Sequence, residues 1–221
     1  MVVAIDGPAG SGKSTIARML ADRLGLMFMN TGSFYRGVTL ALLRRAGGAA
    51  DGAGAGAVDL TDEAAIIDFA RKVELDYRDG KLYLSGEDVE PYLRSDAVEA
   101  LVAPLSAIVG VRRIINEKIR AVAARNGVVC EGRDMTTVVF PNAEHKFYLD
   151  ASVEARALRR FTQGTSGLSL SEIEASIAAR DEIDRNKKEG SLQRAPDAFY
   201  LDTSGLTITQ VCEIIVSKIH T

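Results

Sequence analysis

Nine consecutive residues, Gly7, Pro8, Ala9, Gly10, Ser11, Gly12, Lys13, Ser14 and Thr15, follow an apolar run at 2–5 and fit the spacing G-x-x-x-x-G-K-[ST]. Glycines at this spacing let the backbone come close to a ligand and turn successive N–H groups onto phosphate oxygens. Lys13 is placed to reach β- and γ-phosphates, and the Ser14 hydroxyl to meet a Mg²⁺ ion. The helix expected to begin there adds the positive end of its dipole. The chemistry implied is the binding of a nucleoside triphosphate. GTPase switches, motor ATPases and small-molecule kinases all use such a loop, so the loop alone does not name a reaction.

The rest of the chain narrows the choice. No Asn-Lys-x-Asp base-reading motif occurs, and 221 residues leave little room for a motor's coupling domains. Arginines instead recur in short clusters: Arg36, Arg112, Arg133, Arg156, Arg159, Arg160, Arg180 and Arg185. Phosphoryl transfer between two phosphorylated molecules forces two polyanions together. Its catalysis is therefore mainly charge neutralisation, alignment and exclusion of water. Guanidinium groups supply these, gripping phosphates with two parallel donors and never losing their charge. A phosphate acceptor is nucleophilic near neutral pH, so the scarcity of histidine, His145 and His220 only, is no obstacle. The basic clusters at 156–160 and 180–188 bracket a Gly/Ser-rich stretch at 163–169, the arrangement of a lid that closes on substrate.

These residues need a scaffold. Short apolar runs at 2–5, 26–29, 128–130, 145–149 and 199–201 alternate with helical patterns, which predicts a parallel sheet with right-handed crossovers and helices on both faces. Ligands of such sheets gather beyond the carboxyl ends of the strands. The phosphate loop, Thr31 and the segment 131–134 each lie just past such a run and are expected to line one crevice. Gly25 is the expected stop of the first helix, and Thr207 with Gln210 reads as the capping box of the last. Between about 60 and 105 the pattern changes to a short helix from Asp62 and a hairpin around Asp79-Gly80, which predicts a small antiparallel insert. The Gly/Ala run 46–57 is expected to be a flexible connection. Composition, with 47% hydrophobic and 26% charged residues, is that of a single globular domain over 1–221. A net charge of −3 argues against nonspecific nucleic-acid binding. Two cysteines, Cys130 and Cys212, give neither a disulfide framework nor a metal-ligand spacing. With no secretory or membrane address visible, a cytoplasmic location is expected.

Several blocks together resemble the bacterial cytidylate kinases, a family of nucleoside monophosphate kinases. They are 5–15, Thr31-Gly32-Ser33-Phe34-Tyr35-Arg36, Gly86-Glu87-Asp88-Val89, the run from Glu131-Gly132-Arg133-Asp134 to Pro141, Leu149-Asp150-Ala151-Ser152, and Arg180-Asp181-x-x-Asp184. The resemblance implies a phosphate-loop kinase fold in which 60–105 is the nucleotide-binding insert and about 155–190 a helical lid. It implies a monomeric enzyme that passes the γ-phosphoryl group of ATP, with Mg²⁺, to CMP or dCMP, giving ADP and CDP or dCDP, with neither nucleic acid nor membrane as partner.

Carried over by position, Thr31, Arg36 and Arg133 would hold the acceptor phosphate. Asp134 would accept from the cytosine amino group, Arg112 would donate to the ring, and Arg180, Asp184 and Lys187 would bind the ribose and phosphate region. Lys13, Arg133, Arg156, Arg159, Arg160 and Arg180 would serve the transferring phosphate. Three positions depart from the family's pattern: Lys187 replaces an arginine, Ala103 stands where a base-contacting serine is common, with Ser106 nearby, and Thr136 replaces a glycine. Two other readings stay open: a kinase of another small acceptor, and a nucleotide-dependent binding module without turnover, against which Lys13, Ser14, Arg180 and Asp184 speak.

Overall fold

The computed structural model describes residues 1–164 and 167–220. Thr165 and Ser166, within the stretch 163–169 read above as part of a lid, lie outside the described residues, as does Thr221. The chain divides into two compact units, Met1–Phe28 with Gly127–Thr221, and Met29–Asn126.

The first unit is organised by β1 (Val2–Asp6), whose Val3, Ala4, Ile5 and Asp6 are fully buried. A strand covered on both faces and paired on both edges favours apolar residues on both faces, which is why the sequence shows an apolar run at 2–5 rather than an alternation, closed by the acid Asp6. β1 pairs in parallel with β6 (Val128–Gly132) and with β7 (His145–Asp150), and β7 pairs in parallel with β8 (Phe199–Asp202). With β2 (Met27–Asn30) at the other edge, the five-stranded order is β2-β6-β1-β7-β8. Asp6 is in register with Gly132 on one side and Tyr148 on the other. The segments that follow Asp6, Gly132 and Asp150 therefore leave the sheet along one edge.

Helix α1 (Lys13–Leu24) turns Ile16, Ala17, Leu20 and Ala21 inward and ends at Gly25, whose φ of 63° is the left-handed stop expected from the sequence. It packs with Val211, Cys212 and Ile215 of α8 (Ile208–Ile219) and with Val129, Phe147 and Leu149 of the sheet in one core. Each fully buried leucine or isoleucine there contributes about 1.5–3 kcal/mol. The Thr207–Gln210 capping box is formed. Two further helices, α6 (Val153–Thr162) and α7 (Leu170–Arg185), meet through Ala157, Ile173 and Ile177.

The second unit holds α2 (Thr31–Arg45), α3 (Glu63–Lys72), α4 (Asp96–Ala107) and α5 (Val109–Ala123) with a small antiparallel sheet, β3 (Leu75–Arg78), β4 (Lys81–Leu84) and β5 (Glu87–Asp88). The hairpin turn places Asp79 at φ 52° and Gly80 at φ 73°, the pair of positive values that a two-residue turn requires. The insert hairpin, the five strands and the first and last helices thus match the sequence reading. Helix α4 was not foreseen; Ser95 starts it, its Oγ accepting from the Val98 amide.

The run 46–57 corrects an expectation. Instead of a flexible connection it is a folded loop: Gly48 donates to the Leu43 carbonyl, Ala49 to Ala53, Gly52 to Ala49 and Gly56 to Ala46. Arg44 Nε donates to the Ala50 carbonyl at 2.8 Å and Ser95 Oγ to that of Asp51 at 2.6 Å. At Gly48 glycine is needed by space rather than for slack, since a Cβ there would lie 2.8 Å from the Gly52 carbonyl oxygen.

Candidate active site

The phosphate loop is built from its glycines and one carbonyl. A Cβ on Gly7 would lie 2.0 Å from the Leu149 backbone oxygen, so the loop leaves β1 by a path open only to glycine. The Pro8 carbonyl accepts from Ser11 Oγ at 3.1 Å and from Lys13 Nζ at 2.6 Å. Gly12, at φ 89°, precedes α1 with no side-chain cap, so its first-turn amides are not taken by a capping side chain. Burial pushes the Lys13 ammonium down to about 7, with the positive charge of Arg133 acting in the same direction. A cation so destabilised is matched to a polyanion.

Ser14 Oγ donates to Glu131 Oε1 at 2.9 Å. A hydroxyl beside a carboxylate suits a hard divalent cation whose other ligands are phosphate oxygens and water. Among the described residues no group of three or more His, Cys, Asp or Glu is arranged to hold a metal by itself. From sequence Glu131 belongs to the crevice-lining segment 131–134 without a role of its own; it lies level with Ile5 of the loop strand.

Beyond β6, Arg133 Nε donates to Asp184 Oδ2 at 2.8 Å, and Lys187 Nζ donates to Asp184 Oδ1 at 2.6 Å. Burial acts to raise the Asp184 carboxyl, but the bonds from Lys187 and Arg133 outweigh it and hold the group below its usual range. Asp134 is buried and opens a π-helical turn, Met135–Val139. The Asp6 carboxylate accepts from the amides of Met135 and Thr136 and from Thr136 Oγ1. Burial pushes it up to about 6, against the pull of those three bonds.

The arginines assigned to the lid differ in their surroundings. Arg156 is 2% exposed; its Nε donates to the Ala151 carbonyl at 2.9 Å, Nη1 to the Ala9 carbonyl at 3.0 Å and Nη2 to Asp181 Oδ2 at 2.6 Å. It therefore braces the phosphate loop from behind. Arg159 is half-buried, with both Nη atoms on Thr203. Arg160 and, on α7, Arg180 are exposed. In the second unit, Thr31 is buried at the start of α2. Arg36 Nε donates to Glu99 Oε1 at 2.8 Å. The Arg112 guanidinium lies 5.4 Å from the centroid of the Tyr35 ring, whose hydroxyl donates to Asn116 Oδ1 at 3.2 Å. Ser106 Oγ donates to the Ala103 carbonyl. Glu99 and Asn116 were not picked out from sequence, and Tyr35 was named only within its block, because their role as partners of the arginines depends on α2, α4 and α5 meeting.

The sequence profile of the family described as Cytidylate kinase matches residues 3–221. The chain belongs to the cytidylate kinase family. It is 40% identical over 222 residues to the cytidylate kinase of Borrelia turicatae (strain 91E135), covering 100% of this chain and 96% of that protein. It is 38% identical over the same length to cytidylate kinase 1 of Borreliella afzelii (strain PKo), covering 100% and 97%. Among solved structures, an uncharacterized protein from Eubacterium ventriosum ATCC 27560 superposes with a TM-score of 0.53 at 11% identity, covering 100% of this chain and 98% of that chain. At that identity the likeness concerns the fold alone.

Proposed function

We propose that this kinase transfers the γ-phosphoryl group of ATP to CMP, and to dCMP, giving ADP and CDP or dCDP. The observation that carries this reading is the register of β1 with β6, which brings Arg133 and Asp134 off the same sheet edge as the Gly7–Ser14 loop, within a member of the cytidylate kinase family. The amides of the loop and Lys13 receive the phosphates of ATP. Mg²⁺, when bound with ATP, would be held by Ser14 with Glu131 beside it, and would supply neutralisation of phosphate charge.

For the acceptor, Thr31, Arg36 and Arg133 receive the phosphate, and Asp134 and Arg112 read the base. Arg180, Asp184 and Lys187 serve the ribose and phosphate region. An acceptor for the cytosine amino group rejects uracil, whose 4-carbonyl would face the carboxylate with no proton between them. Arg159 and Arg160 approach the transferring phosphate as the 155–190 segment closes, while Arg156 acts from its buried place against Ala9. The segment 60–105 supplies the nucleotide-binding insert. The enzyme works on free nucleotides as a cytoplasmic monomer; among the described residues no helix is long and apolar enough to cross a membrane.

A coupled assay with saturating Mg·ATP across CMP, dCMP, UMP, AMP and shikimate tests the reading. It predicts turnover with the cytidine nucleotides at kcat/KM at least about a hundredfold above the others, a margin equal to one unpaired buried polar group at the base site. Preference for any other acceptor overturns it.

A further inference from the structure

Asp6 is fully buried, and its carboxylate accepts three hydrogen bonds from the segment that follows Asp134. A buried carboxylate persists only where several donors meet it. The donors all come from one place: the Met135 amide at 2.8 Å, the Thr136 amide at 2.7 Å and Thr136 Oγ1 at 2.6 Å.

Those two amides open the π-helical turn that follows Asp134. Within the turn Val138 and Val139 donate to the Asp134 carbonyl and Phe140 to that of Met135, whereas the turn has no capping side chain of its own. First-turn amides of a helix have no partner inside it and need a cap. Here the cap comes from a strand 129 residues earlier in sequence, and from the residue that immediately precedes Gly7. One carboxylate thus ties the start of the phosphate loop to the segment carrying Arg133 and Asp134.

We infer that Asp6, together with the Thr136 hydroxyl, is a positioning residue for the acceptor: it sets Arg133 and Asp134 relative to the phosphate loop and touches neither nucleotide. The inference rests on the CMP reading above. Asp6 differs in this from a residue of the loop itself, because loss of its bonds releases the acceptor segment and leaves the glycine turns and the Pro8–Lys13 contact in place.

The test compares Asp6→Asn, Thr136→Val and Thr136→Ser with the unaltered enzyme, measuring KM for CMP and for ATP separately, the thermal transition, and amide hydrogen exchange at 135 and 136 without nucleotide. Losing a charge-assisted bond corresponds to about a tenfold effect, so Asp6→Asn is expected to raise KM for CMP about tenfold or more, with KM for ATP within about twofold. Thr136→Val is expected to raise KM for CMP about threefold, and Thr136→Ser to restore most of that loss. Exchange at both amides is expected to accelerate about tenfold or more in Asp6→Asn. Equal increases in both KM values, an unchanged KM for CMP, or no rescue by serine overturn the inference. If Asp6→Asn does not fold, the Thr136 pair decides by the same criteria. An unaltered enzyme inactive on CMP would be a failure of the functional reading, distinct from an active enzyme whose Asp6 and Thr136 variants show no acceptor-selective defect.

Discussion

The Asp184 carboxylate accepts Nε of Arg133 at 2.8 Å, joining α7 to the segment that follows β6, and its second oxygen accepts Lys187 at 2.6 Å. A single buried acid thus holds both the Arg133 guanidinium, proposed above to receive the acceptor phosphate, and the Lys187 ammonium. Asp184→Asn is expected to cost about 1–3 kcal/mol at neutral pH, since two charged donors lose their counter-charge. Because the folded carboxyl sits below its usual range, this contribution is present above the unfolded value near 3.8 and is lost as pH falls through the lower folded value. Urea unfolding at pH 7 and near pH 3 checks this. The gap between the two proteins should shrink at low pH, and a gap that is constant or absent contradicts it.

Lys13→Ala is expected to reduce turnover by about 10³-fold or more, the scale of losing a principal charge from a phosphoryl-transfer site. Its effect on stability runs the other way. The folded ammonium titrates at about 7 rather than 10.5, so the unfolded chain binds more protons between those values, and the charged form is a cost to folding at and below neutral pH. The alanine variant should unfold at pH 7 no earlier than the parent. A midpoint lowered by more than about 5 °C would show that Lys13 supports the fold.

Arg156 and Asp181 are each 2% exposed and joined at 2.6 Å. Removing one member of so buried a pair leaves an uncompensated charge, which costs about 3–5 kcal/mol. Arg156→Ala should therefore lose stability together with activity, whereas the exposed Arg160→Ala should change activity with stability held within about 0.5 kcal/mol. Chemical unfolding of the two variants separates them, and equal stability of both would contradict the assigned bracing of Ala9 by Arg156.

The sequence made legible what depends on local pattern. The phosphate loop, the five strands of the parallel sheet, the Asp79-Gly80 hairpin and the Thr207 cap follow from spacing, periodicity and turn chemistry alone, and the structure bears them out, except that the edge strand β8, expected to be buried, is half-exposed. What it hid depends on contacts between distant segments. The partners of Arg36 and Arg112 lie on helices far along the chain, Glu131 meets Ser14 across 117 residues, and Asp6 caps a turn across 129. The run 46–57 misled for a different reason: glycine and alanine fit equally well a slack linker and a tightly packed loop, and the backbone hydrogen bonds within it, with the close approach at Gly48, distinguish the two.

Asp134→Asn places an amide where a pure acceptor stood. Turned to present its NH₂, it can meet the 4-carbonyl of uracil, so the ratio of kcat/KM for CMP over UMP is expected to fall about tenfold or more. An unchanged ratio would show that the base is read by other groups.

A single turnover of γ-labelled ATP with excess enzyme, Mg²⁺ and CMP bears most directly on the whole account, since it asks whether positive charge around the glycine-built loop carries phosphate from one nucleotide to another. The label is expected to appear in CDP, with CMP-dependent loss of ATP and little free phosphate. Label that stays in ATP, or that is released as inorganic phosphate whether or not CMP is present, would contradict it.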